Sequence, residues 1–164
     1  MIENRRFMPH WPLPDYIFVP GSNPHPKKDG GHMEGLAEPV APPIDRSAPQ
    51  NNEFLRFALD LYNHQYFWES HVYFEALWNA HKRLGSEAEF CKGFIKLGAA
   101  GVKFAIDQKI SAQGHLERAK ELFQIVLRDE GDYFLGFDIK NILQKIDEAL
   151  TNDLRCFEIY PGWD

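Results

Sequence analysis

Ten of the eleven prolines stand within the first 49 residues, at positions 9, 12, 14, 20, 24, 26, 39, 42, 43 and 49. Proline lacks a backbone donor and blocks helix interiors, so this stretch cannot form regular helix. It is not a disordered leader by composition, because Phe7, Trp11, Leu13, Tyr16, Ile17, Phe18 and Val19 all prefer burial. Residues 1–49 are therefore expected to form an extended Pro-rich arm packed on a body made by residues 50–164.

The period changes at the body. Phe54, Phe57, Ala58, Leu61 and Tyr62 fall on one helical face, behind a capping-box pattern at Ser47–Gln50. A second helix is expected over about 66–84, ending near Gly85. A third opens at a second capping-box pattern, Ser86–Glu89, and runs to about 107. Its Gly93, Gly98 and Gly101 are poor helix formers, which points to close approach of a neighbouring backbone. A fourth helix spans about 112–128, and a fifth follows an N-cap at Asp138. No convincing strand pattern is present. The fold class is all-α, an antiparallel bundle of about five helices with an N-terminal arm.

Composition limits function. Hydrophobic residues make up 44% of the 164, enough for a core, and the formal net charge is -6, which makes nucleic acid an unlikely partner. No apolar run reaches a membrane span, and the first residues carry no apolar segment of the secretory kind. The two cysteines, Cys91 and Cys156, make no disulfide framework, so a reducing cytoplasm is expected. Phosphate-binding glycine loops, nucleophile elbows and zinc-protease signatures are absent.

The second helix carries the chemistry-bearing residues. Phe67, His71, Phe74 and Trp78 fall within about 60° of one another, with Glu75 about 40° to the side of His71. That reading places His71 in an apolar stripe facing the core, where an imidazole and a carboxylate must be paired. The pair can be structural, an acid–base couple in which Glu75 orients His71, or two ligands of a divalent metal ion. The arm offers further donors, because His25 and His32 lie in a Pro/Gly-rich loop that would reach the second helix if the arm folds over it. The candidate metal set is thus His25, His32, His71 and Glu75, with Asn63 and Trp78 in the surround of a bound small molecule. The alternative is a non-catalytic interaction module or homo-oligomer, with Trp11, Tyr160 and Trp163 as contact residues and the His71–Glu75 pair structural.

At these positions the chain resembles a bacterial and archaeal family known as domain of unknown function 309. Asn63, Tyr66, Phe67, Glu69, His71, Glu75 and Trp78 match its first motif. Gly93, Phe94 in place of Leu, Ile95, Leu97, Ala99 and Ala100 match its second. The resemblance covers about residues 52–127 and implies a compact helical bundle without implying an activity. The chain departs from the family pattern at Val72, where a second carboxylate is usual, at Lys96 in place of Gln, and at Lys103 in place of a frequent His.

Overall fold

In a computed structural model, which describes residues 5–152 and 157–163, the body is built from five helices. They are α1 (Glu53–Asn63), α2 (Phe67–Ala80), α3 (Ser86–Ala105), α4 (Lys109–Glu130) and α5 (Ile139–Asn152). α3 packs against both α2 and α4, α1 against α2, and α5 against α4. Short connections between packed neighbours give the alternating order of a helical bundle. No described helix is long and apolar enough to cross a membrane.

The helix boundaries follow local chemistry, not always the expected one. Ser47 does not cap α1. Its hydroxyl bonds Asp45 Oδ1 at 2.7 Å, a 3-10 turn fills Pro49–Asn51, and the cap is Asn52, whose side chain accepts from Leu55 N at 2.9 Å. Ser86 does not cap α3 either, because it lies inside the first turn, buried, behind Gly85 at φ 88°. α2 ends at Ala80, four residues early, as Lys82 and Arg83 both take left-handed backbone. Asp138 does reach Asn141 N, at 3.0 Å, as an N-terminal cap of α5 should.

One element lay outside the expectation. Tyr133–Phe134 (β1) pairs antiparallel with Phe137–Asp138 (β2) through a two-residue turn at Leu135 and Gly136. Both turn residues have positive φ, the backbone twist that suits a tight hairpin. Two-residue strands are too short to show alternation in sequence. The hairpin delivers Phe137 to the core, where its ring centroid lies 5.0 Å from Phe90 and 5.9 Å from Phe94. Phe94 in turn stacks on Phe74 of α2 at 4.6 Å.

The arm crosses the body without regular structure and is fastened by buried carboxylates. Asp60 of α1, 1% exposed, accepts from the Phe7 and Met8 amides at 2.7 and 2.8 Å and from Arg6 Nε at 3.0 Å. Farther along, Asn52 Nδ2 donates to Pro42 O at 3.1 Å, and His81 Nε2 accepts from Ile44 N at 2.9 Å. Covered by the body on one side and the arm on the other, α1 is buried over nearly its whole second half.

Candidate functional site

His71 lies at the edge of the core, not inside it. Ser70, Phe74 and Leu77 take the inward direction of α2, whereas Phe67, His71 and Trp78 are only partly buried and Glu75 is exposed. Of the expected stripe, Phe74 enters the core and the other three residues border it. A periodicity fixes the angle between residues and not the direction in which the helix is turned.

The His71 ring is nonetheless oriented. Its Nδ1 contacts the Trp68 carbonyl oxygen one turn back. A carbonyl only accepts, so Nδ1 carries the hydrogen and Nε2 is the free nitrogen. Glu75 Oε2 stands 3.7 Å from Nε2. That is too long for a hydrogen bond and close enough for charge attraction if the ring takes a second proton.

Beside His71 a notch of about 210 Å³ opens between α2 and α3, with Phe67, Trp68, Ile95, Ala99 and Val102 in its wall and Lys103 at its side. Two glycines let the helices come this close. A Cβ on Gly98 would stand 2.9 Å from the Phe67 carbonyl oxygen, and one on Gly101 would collide with the Phe67 ring. The surroundings are basic. Burial lowers the pKa of His115 on α4, and the charges of Lys96 and Lys103 lower it further. Lys103 Nζ also donates to Gln108 Oε1 at 3.1 Å.

The remaining expected site residues lie apart. His32 reaches α2 but meets Glu69, with 3.0 Å between Nε2 and Oε1. Residues 69 and 71 point about 200° apart on a helix, so this pair is on the other side of α2 from His71. His25 packs edge-on against Trp68 at 5.1 Å and Phe18 at 5.3 Å, and its Nδ1 accepts from Lys27 N at 3.2 Å. Trp68 therefore lies between His25 and His71, its centroid 5.0 Å from the latter. Among the described residues no three His, Cys, Asp or Glu side chains converge as a metal set. His25, His32, His71 and Glu75 do not share one centre.

Asn63 and Trp78 also have internal roles. Asn63 Nδ2 donates to Ile159 O at 2.8 Å while its Oδ1 accepts from Ile159 N at 2.9 Å, pinning the C-terminal segment. Trp78 carries the Arg83 guanidinium over its ring at 4.6 Å. The aromatics considered for partner contact pack within the chain. Trp11 lies against Phe57 at 5.2 Å, Tyr160 against Phe7 at 6.2 Å, and Trp163 donates from Nε1 to Leu135 O at 3.0 Å. Cys91 is a fully buried free thiol whose pKa burial pushes up, which suits a core residue and not a nucleophile. Cys156 lies outside the described residues.

Sequence reasoning passed over Asp60, and it used Glu69 only as a motif position. Each had a signal, since Asp60 stands between Leu59 and Leu61 of an apolar helix and Glu69 stands between Trp68 and Ser70 in an aromatic one. A carboxylate in such a place needs a buried partner. The partner was unreadable because it came from more than thirty residues away.

Residues 55–114 match the model of a protein family described as "Domain of unknown function (DUF309)". That span runs from α1 into the first turns of α4 and holds His71, the notch and both close-packed glycines. No curated protein and no solved structure matches the chain.

Proposed function

We propose that this chain, whose residues 55–114 match the DUF309 family model, is a small-ligand-binding protein with its site at the His71 notch. One observation carries the reading. The Trp68 carbonyl holds Nδ1, so the reactive nitrogen of His71 is left free beside an apolar notch. The notch is smaller than the pockets that take drug-sized molecules, so the ligand is of single-ring size. Its wall is apolar and aromatic, and its polar groups are His71 and Lys103. That combination suits a flat apolar body bearing a carboxylate, which Lys103 attracts and which a protonated His71 can bond.

The same geometry suits acid–base work. A neutral Nε2 can take a proton from a bound water or hydroxyl, and Glu75 at 3.7 Å stabilises the imidazolium that results. A hydrolytic activity would use this pair. His71 and Glu75 supply two protein donors to any divalent ion, and the others would come from water or ligand.

The test is titration with benzoate followed by Trp fluorescence and NMR, with benzyl alcohol as the uncharged control. Benzoate should saturate and perturb the Trp68 indole. His71→Ala and Lys103→Ala should each weaken it at least tenfold while the fold is kept. Equal response to benzyl alcohol, or no effect of either substitution, removes the proposal. Elemental analysis of parent and His71→Ala protein decides whether a metal accompanies the site.

A further inference from the structure

A second cavity, of about 330 Å³, lies on the opposite side of α2 from His71, where the arm crosses α1 and α2. Its body side is formed by Phe57, Leu61 and Tyr73, and its arm side by Pro12, Leu13 and Leu36. Two carboxylates line it, Glu69 at the base and Asp15 on the exposed arm.

Glu69 is only half satisfied. The residue is 2% exposed, and its Oε1 accepts from Phe18 N at 3.1 Å and faces His32 Nε2 at 3.0 Å. Its Oε2 is buried and has no hydrogen-bond partner among the described residues. A buried carboxylate oxygen without a donor is a cost to the fold, which a bound donor would recover. Asp60 and Glu87, by contrast, are matched by amides and by a guanidinium group.

We propose that this cavity binds a small organic ammonium, an amine on an apolar body, with its N–H donors on Glu69 Oε2. Phe57 and Tyr73 present aromatic surface of the kind that favours a cation, and Asp15 adds negative charge at the rim. His32 remains on Oε1, so both carboxylate oxygens end with donors. The wall now seals Oε2, and access requires a shift on the arm side. Residues 32–36 there are held by turns with no helix or strand, and Leu36 is largely exposed. The site shares no residue with the His71 notch.

The test uses the full chain and benzylammonium as probe, with benzyl alcohol and benzoate as controls, read by NMR at pH 7.5. Benzylammonium should saturate with shifts at Leu13, Leu36 and Tyr73, at least tenfold more tightly than benzyl alcohol. Glu69→Gln should abolish that preference. Asp15→Lys, at an exposed position with no side-chain hydrogen bond among the described residues to hold the arm, should weaken binding at least threefold, so the proposal stays testable if Glu69→Gln misfolds. Absence of binding, indifference to charge, or unchanged affinity in Asp15→Lys and any folded Glu69→Gln would each overturn it, leaving Oε2 to a buried water.

Discussion

His32 Nε2 lies 3.0 Å from Oε1 of Glu69, across 37 residues of sequence. The contact ties the Pro/Gly-rich loop of the arm to α2 and commits His32 to a carboxylate other than the one first paired with His71. Tyr16 completes the hold, since its hydroxyl accepts from His32 N at 3.3 Å and donates to Pro24 O at 2.7 Å. Lys27 and Lys28 stand exposed in the same loop. His32→Ala should therefore speed trypsin cleavage at these lysines several-fold, because proteolysis follows local opening. The His71 notch should bind benzoate as before. Unchanged cleavage would mean that turns alone hold the loop.

Asp60 fixes the start of the arm more firmly. It satisfies two buried amides and one guanidinium, and Phe7 and Met8 are buried beside it. Asp60→Ala leaves all three donors without their acceptor. The expected loss is about 3–5 kcal/mol, the range for breaking a buried charged pair. Urea unfolding measures it, and a loss below about 1 kcal/mol would show that water replaces the carboxylate.

The glycines of α3 and α4 should respond in opposite directions to alanine. At Gly93 a Cβ would stand 2.7 Å from Phe123 Cε2, and at Gly101 it would strike Phe67. Overpacking of this kind costs about 1–3 kcal/mol. Gly114 of α4 has open space where a Cβ would go. Gly114→Ala should add about 0.5–1 kcal/mol, because glycine is the poorer helix former. Denaturation midpoints of the three variants give the comparison.

These glycines mark the limit of what the sequence makes legible. Their number within one helix announces close packing, and Gly98 and Gly101 do meet α2 at Phe67. The five helices and the cap at Asp138 were likewise readable, because each depends on residues within a few positions. The site was readable only in part. The spacing put His71, Glu75 and Phe67 on one side of α2. It could not say that the inward direction belongs to Ser70 and Leu77, because α2 is covered by α1 and α3 and also by the arm. Asp60, Glu69 and Asn63 draw their roles from partners 37 to 96 residues away, and no local pattern encodes such pairings.

Asn63 shows the consequence. Its place in the sequence suggests the surround of a ligand, and the structure gives it to the backbone of Ile159. Asn63→Ala leaves a buried donor and a buried acceptor unpaired, for an expected cost of about 2–3 kcal/mol. Asn63→Asp keeps the acceptor for Ile159 N but sets a buried carboxylate oxygen against the Ile159 carbonyl, so it should cost at least as much. A fall in stability with unchanged benzoate binding supports the structural role. Weaker binding without loss of stability would return Asn63 to the site.

Stability should also depend on pH through His81. Its Nε2 accepts from the Ile44 amide, which requires a neutral ring. Burial lowers its pKa, the nearby Glu87 charge opposes this, and Arg46 adds to the lowering. The unfolded chain then takes up the proton first, near the ordinary histidine value of about 6.5. The contribution is complete above that pH and is lost as pH falls through the lower folded value, since stability rises with pH wherever the unfolded state binds more protons. His115 has the same sign, through burial and then Lys96 and Lys103. Urea midpoints at pH 7.5 and 5.5 test this in the parent, in His81→Gln, which keeps an acceptor for Ile44 and cannot titrate, and in the double variant with His115→Gln. The fall between the two pH values should shrink in the first variant and shrink again in the second. An identical fall in all three would assign the acid sensitivity to the carboxylates instead.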